Sequence, residues 1–371
     1  MSDETPRRKV DHLNLCATGE VEFQQKTTLF EDVHLVHCAL PEMAESDVDI
    51  SRTFLGKRLA APILIGAMTG GARQSARINR NLASAAQELG IGMQLGSQRA
   101  MIEDPSLRET YDVRAVAPDI VLLGNIGLAQ AQRLTDKQAK ALVSGIDADG
   151  LCLHLNPAME LFQPEGDRDF RKGLATIRRY ASLFGERLVV KETGCGVSRE
   201  VSEQLIKAGV RCIDVAGAGG TSWVRIEQIR SRPLGGTGPF SEWGIPTAAS
   251  LRESAALAGS GRGACAFIAS GGLRTGLDFA KAIALGATLG SAALPFLRAY
   301  LCGPARGRTS AKQGRENVVA CAGKLIRELR AACVLTGSRN LAELRRAPVV
   351  ITGRLREWTE QRVKRVVNRS G

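Results

Sequence analysis

The chain has 371 residues, 44% of them hydrophobic, 4% aromatic and 40 of them glycine, which supports a large core and excludes a disordered chain. Net charge is +12, but residues 304–371 alone hold 16 Lys or Arg against 5 Asp or Glu, so the rest is nearly neutral. No apolar run reaches 18 residues, which excludes a membrane-spanning helix.

The chain opens MSDETPRRKVDH, with no apolar stretch of the kind a secretory leader needs. Arg8, Lys9 and His12 there default to a loose basic terminus, yet a basic arm can also fold over a site and grip a diphosphate. Nine cysteines are scattered without a CxxC pair, which points to a reducing cytoplasm. Cys152, Cys212 and Cys265 lie in apolar runs, where cysteine acts as a small hydrophobe.

From residue 61 one unit repeats: an apolar run, a polar or Gly-rich turn, then an amphipathic stretch. APILIGA leads through MTGG to the helix pattern SARINRNLASAAQEL. IGMQL leads through GSQRA to a helix start at Asp104–Pro105, a cap followed by a first-turn proline. DIVLLGN precedes a helix around 135–144. GLCLHL precedes a polar loop and a helix from about 170 to 183. RLVVKE is followed by TGCGVS, where Ser198 can cap a helix running to Lys207. RCIDVAG runs into a long Gly-rich loop, ACAFIAS into GGLRTG and a helix with apolar Leu277, Ala280 and Ile283, and ATLGSAA closes the series.

Eight continuous apolar strands, each followed by a helix, suit parallel strands buried on both faces. Their count over about 250 residues predicts an α/β TIM (β/α)8 barrel. The expected single domain has a barrel core at 61–303, an N-terminal extension at 1–60 and a basic helical C-terminal extension at 304–371. A doubly wound sheet is the other arrangement, but no GxGxxG follows the first strand. The basic extension could bind nucleic acid or an acidic membrane. It lacks the aromatic interleaving of single-strand binders and reads instead as a solvated face or a subunit contact.

Every polar cluster follows a strand, and a barrel gathers those loops at one face. The densest is CLHLNPAMELFQPEGDRDF, which carries His154, Asn156, Glu160, Gln163, Glu165, Asp167 and Arg168 around a single apolar Met159. Ser270–Gly276 offers backbone N–H groups, an Arg and a helix start, and Ser291, Ala292 and Ala293 form a small-residue eighth loop. Each could be an ordinary turn, but together they suit the phosphate cradle of a barrel. Lys191, at a strand end, faces desolvation unless it meets an anion or an electron-rich ring. With Asn125, Ser97, Thr69 and Thr221 at other strand ends, it suits FMN. Glu160 is a lone carboxylate: on spacing alone a surface glutamate fits slightly better than a Mg²⁺ ligand, and zinc would need more N or S ligands.

The strings RKVDHLNLC, APILIGAMTGG, GSQRA, LLGNIG, HLNPAMELFQPEGDRDF, VVKETGCG, IDVAGAGGTSW, WGIPTA and IASGGLRTGLDFAKAIALGA resemble the type 2 isopentenyl-diphosphate Δ-isomerases, in order from about residue 7 to 300. The resemblance implies reduced FMN, Mg²⁺, NADPH as reductant, a small isoprenoid diphosphate as substrate and a homotetramer or homo-octamer, with neither nucleic acid nor membrane as partner. It implies FMN contacts at Ala67, Met68, Thr69, Ser97, Asn125, Lys191, Thr221, Gly271, Gly272, Arg274, Ala292 and Ala293. Substrate diphosphate is expected at Arg8, Lys9, His12, Ser97, Arg99, His154 and Asn156, Mg²⁺ at Glu160, and the chemistry around Lys191, His154 and Met159. The departure is Met159, where many members have a Gln with a possible role in proton transfer, and Met neither donates nor accepts usefully. Either the flavin moves the proton unaided, or the chain serves a related non-redox reaction, such as cyclisation of a longer polyene.

Overall fold

The eight apolar runs form a closed parallel barrel: β1 (Ile63–Ile65), β2 (Gly92–Gln94), β3 (Leu122–Gly127), β4 (Gly150–His154), β5 (Leu188–Lys191), β6 (Cys212–Asp214), β7 (Ala266–Ser270) and β8 (Leu289–Ala292). Each strand pairs with the next in sequence, and β8 closes on β1 through Gly290 and Ile63. The structure, a computed structural model, describes residues 11–17, 19–231, 238–259, 261, 263–302 and 310–367. The TIM barrel expected from the repeat is therefore the fold.

The strands carry apolar residues on both faces but send them to different places. Leu64, Leu123, Cys152, Val189, Cys212, Ile268 and Leu289 form one buried cluster inside the barrel. Ile63, Ile65, Leu122, Leu151, Leu153, Leu188, Val190 and Ile213 join the larger cluster between barrel and helices. Each fully buried aliphatic side chain stabilises by roughly 1.5–3 kcal/mol. Strand side chains alternate, so the inward position two residues beyond each interior hydrophobe falls at the C-terminal mouth. Those positions are Gly66, Asn125, His154, Lys191, Asp214, Ser270 and Ser291, all polar but the glycine, and Gln94 ends β2 beside them. A polar layer thus lies directly on an apolar one. At the other end, the hairpin Arg52–Phe54 and Lys57–Leu59 sends Phe54 and Leu59 into the interior cluster and plugs the barrel.

Local chemistry sets the helices. Asp104 Oδ1 accepts from the Ser106 N–H at 2.9 Å, as its sequence position suggests, but the turn it opens is the 3₁₀ segment Pro105–Thr110. Ser198 caps Arg199–Lys207 through the Val201 N–H. Ala280 and Ile283 of the helix Gly276–Ala284 are buried, whereas Leu277 is 45% exposed, because it lies off the face turned to the barrel. The polar loop after β4 is not all loop, since Pro157–Phe162 is a short helix with proline in its first turn.

The chain ends are tied together, Val33–Leu35 pairing antiparallel with Val349–Ile351. The long helix Ala311–Leu335 packs on the helices Arg73–Leu89, Gly276–Ala284 and Leu294–Leu301. Its basic neighbourhood is engaged internally: Arg330 donates to the Val48 carbonyl, Arg345 to that of Ala287, and Arg362 pairs with Glu253 and Glu200. Among the described residues no helix is long and apolar enough to cross a membrane.

Candidate active site

A cavity of about 240 Å³ opens at the C-terminal mouth of the barrel. Its walls come from the loops after the strands and from residues 11–17, a helix that lays His12, Leu13 and Cys16 against it.

The lining includes Ala67, Met68 and Thr69 after β1, Ser97 after β2, Asn125 on β3, Lys191 on β5, Thr221 after β6, Gly271, Gly272 and Arg274 after β7, and Ala292 and Ala293 at β8. The N–H groups of Ala67, Met68, Gly272, Leu273 and Ala293 make no backbone hydrogen bond among the described residues. Ala67, Met68, Gly272 and Ala293 line the cavity and are half-buried, so their N–H groups are open to an acceptor placed there. Gly271 and Gly272 have φ of +95° and +84°, and a Cβ on Gly271 would fall 2.0 Å from the Gly217 carbonyl oxygen. The two loops therefore approach as closely as backbone allows. Ala293 leads straight into the helix Leu294–Leu301. Free N–H groups beside a helix start suit a phosphate, and the row at Ala67–Met68 suits a heterocycle carrying acceptors.

Strand register sets the neighbouring polar groups side by side, with His154 paired to Lys191 and Lys191 to Asp214. Lys191 Nζ donates to the Glu192 carbonyl and lies 3.9 Å from Asp214 Oδ2. Asp214 is fully buried, accepts from Ser270 Oγ at 2.5 Å and from Gln94 Nε2 at 3.4 Å, and so sits beneath the cavity as counter-ion to Lys191. Glu192 is buried behind them. Burial pushes its carboxyl above the usual range although Oε2 accepts three backbone N–H groups, from Thr193, Gly194 and Cys195. That bonding fixes Thr193 and Gly194, which line the wall.

Asn125 Nδ2 donates to the Leu95 carbonyl at 2.9 Å, which leaves Oδ1 to accept from His154 Nδ1 at 2.8 Å. His154 therefore carries its proton on Nδ1 and keeps Nε2 free. Burial, and then the charge of Lys191, depress its pKa to about 3. Gly127 is required beside it, since a Cβ there would lie 2.9 Å from Nε2.

The segment after β4 divides its polar residues. Asn156, in the left-handed region at φ 40°, and Glu160, Gln163 and His154 line the cavity, as does Met159. Glu160 is 8% exposed, with Oε1 accepting from Asn156 Nδ2 at 3.1 Å and Oε2 from the Asp167 N–H at 2.7 Å. Glu165 and Asp167 instead tie the loop down, to Arg230 and Arg133. Among the described residues no group of three His, Cys, Asp or Glu converges as a metal cluster, so a cation at Glu160 would depend on ligands brought by substrate and water.

His12 joins the N-terminal helix to the barrel. Its Nε2 is 2.7 Å from Oε1 of the fully buried Glu227, and its ring meets Trp223 edge-on at 5.2 Å. Glu227 also holds Arg230, whose guanidinium grips both oxygens of Glu165. Arg99 lines the cavity while paired to Glu103 at 2.7 Å. Arg8 and Lys9 lie outside the described residues. Every other residue expected at the site lines this one cavity. Sequence reasoning gave no role to Gln94, Asp214, Trp223, Glu227 or Gln163. Trp223 closes the GGTSW string, and Gln163 sits in the polar segment, whereas Asp214 and Gln94 are apparent only from the alternation of the closed barrel.

Residues 1–152 match the family model described as FMN-dependent dehydrogenase. The isopentenyl-diphosphate delta-isomerase of Methanosarcina barkeri is 46% identical over 369 residues, covering 98% of this chain and 96% of its own. That of Halobacterium salinarum is 45% identical over 370 residues, covering 97% and 98%. Among solved structures, a lactate oxidase of Pediococcus acidilactici superposes with a TM-score of 0.65 at 15% identity, over 94% of this chain and 93% of that one, a likeness of fold alone.

Proposed function

The chain belongs to the type 2 isopentenyl-diphosphate delta-isomerases, and on that footing we propose that it interconverts isopentenyl and dimethylallyl diphosphate on reduced FMN with Mg²⁺. The observation that carries the proposal is that one cavity gathers Lys191, the Gly271–Gly272 loop and Ala292–Ala293 together with His154, Asn156 and Glu160, with apolar Met159, Trp223, Leu294 and Leu297 in the same lining.

FMN is the group that fits the first of these sets. Gly271, Gly272, Arg274, Ala292 and Ala293 would hold its phosphate, and Ala67, Met68, Thr69, Ser97, Asn125, Lys191 and Thr221 its ring system. When bound in reduced form it supplies an electron-rich face and a proton-carrying ring nitrogen. Lys191, with Asp214 beside it, would balance negative charge on that ring.

The diphosphate would lie between His12, Ser97, Arg99, His154 and Asn156, with Glu160 holding Mg²⁺ alongside waters and phosphate oxygens. Arg99 reaches it by sharing or leaving Glu103. Arg8 and Lys9 belong to the same proposal as arms over the diphosphate. Gripping this end positions a small hydrocarbon that has no polar handle of its own. The reaction adds one proton to the alkene and removes another from the resulting tertiary cation, with no net redox change. Met159, Trp223 and Leu13 keep water from that cation.

NADPH as the reductant and a homotetramer or homo-octamer complete the proposal. A second reading, a non-redox reaction on a longer polyene, rests on Met159, which adds greasy surface where the family resemblance leads one to expect a polar Gln. The purified protein is expected to be yellow, to bleach on reduction, and then to turn over isopentenyl diphosphate faster than longer isoprenoid diphosphates. Preference for the longer substrates would favour the second reading.

A further inference from the structure

The helix Pro157–Phe162 and its flanks bring Asn156, Met159, Glu160 and Gln163 onto one face by three- and four-residue spacing, and all four line the cavity. Three of them engage one another. Asn156 Nδ2 donates to Glu160 Oε1 and lies 4.0 Å from Met159 Sδ.

Gln163 stands apart. Its main chain is satisfied, the N–H donating to the Met159 carbonyl at 2.9 Å and the carbonyl accepting from Gly166 at 3.0 Å. Its side chain is packed to 3% exposure, yet the amide makes no hydrogen bond to any described residue. Nor is the amide sealed into the core: Arg179 Nε is the one fully occluded side-chain N or O among the described residues that has no partner. Gln163 lines the cavity, and its amide atoms keep some accessible surface. An amide held this deeply with no protein partner pairs with a group the cavity supplies, water or substrate.

We propose that Gln163 is a catalytic residue of this chain, its amide oxygen facing the isoprenoid carbon on which positive charge develops. This rests on the isomerase reading above. The amide cannot itself carry the proton, having no accessible ionisation, so it acts through its fixed dipole in a water-poor pocket. Met159, one turn back on the same face, offers only a thioether. The polar side chain that the family resemblance leads one to expect at 159 is thus supplied from 163.

The test compares reduced, FMN-loaded, Mg²⁺-supplied enzyme as wild type, Gln163→Met, and the double variant Met159→Gln/Gln163→Met. Gln163→Met conserves volume. It is expected to lower kcat about 10²-fold, the size of effect seen on removing one preorganised dipole, with KM changed less than about threefold. The double variant recovers at least about tenfold of that loss, because an amide one turn away reaches the same carbon. Bound flavin, thermal midpoint and affinity for inorganic pyrophosphate stay at wild-type values throughout. The proposal is overturned if Gln163→Met keeps wild-type kcat, if its loss is matched by lost flavin or a lowered midpoint, or if the double variant recovers nothing. Inactivity of the wild type itself towards isopentenyl diphosphate would instead strike the function proposed above.

Discussion

Lys191 and Asp214 face each other at the floor of the cavity, Nζ 3.9 Å from Oδ2, with the aspartate fully buried on the neighbouring strand. Removing one partner of a buried pair strands the other's charge. Lys191→Met is therefore expected to lower kcat by roughly 10²-fold or more, and to destabilise the fold by a few kcal/mol. Adding Asp214→Asn to Lys191→Met restores most of the stability and none of the activity. Thermal unfolding and steady-state rates of the three proteins check both halves.

His154 gives a pH prediction. Its pKa of about 3 lies below the ordinary histidine value of about 6.5, so the unfolded chain binds a proton that the folded one refuses. Its contribution to stability is full above about pH 6.5 and is lost as pH falls towards 3. His154→Gln should flatten the decline in thermal midpoint between those limits. A diphosphate beside Nε2 favours the protonated ring, so inorganic pyrophosphate binding should take up more protons as the pH is lowered towards about 3. Calorimetry in buffers of different ionisation enthalpy measures that uptake, which His154→Gln removes.

Gly271→Ala tests the phosphate wall. The residue has φ +95°, and the added methyl would sit 2.0 Å from the Gly217 carbonyl oxygen, so the loops after β6 and β7 must part. The strain is about 1–3 kcal/mol. Flavin retention, read as visible absorbance per protein, should fall well before the fold is lost.

Much of this architecture is legible in the chain because it is local. Eight apolar runs followed by helical patterns gave the barrel, and the strand-end polar clusters gave the cavity wall. What escapes a linear reading is what the closed barrel creates. Asp214 lies inside an apolar run, and only alternation from Cys212 turns it inward beneath Lys191. Glu227 joins His12 across 215 residues of chain, a pairing no spacing rule reaches. The short helix Pro157–Phe162 hides in a segment whose polarity says loop, and its pitch is what aligns Gln163 with Glu160. Leu277 shows the converse error, an apolar residue at helical spacing left 45% exposed.

Glu160→Gln keeps the shape of the side chain and its bond to Asn156, loses the one from the Asp167 N–H, and removes the charge that would hold Mg²⁺. Activity is expected to need far more Mg²⁺, with KM raised at least about tenfold, the flavin spectrum unchanged and the fold intact. Chelation should silence the wild type, and Mg²⁺ should restore it.

The central claim is proton movement without net redox change, and incubating isopentenyl diphosphate with Mg²⁺ and chemically reduced, FMN-loaded protein in D₂O, followed by NMR, tests it most directly. The account predicts dimethylallyl diphosphate carrying deuterium, formed over many turnovers with no stoichiometric consumption of reductant, and no product from the oxidised protein. Isopentenyl diphosphate left intact by the reduced, Mg²⁺-supplied protein, or reductant consumed one for one with product, would contradict it.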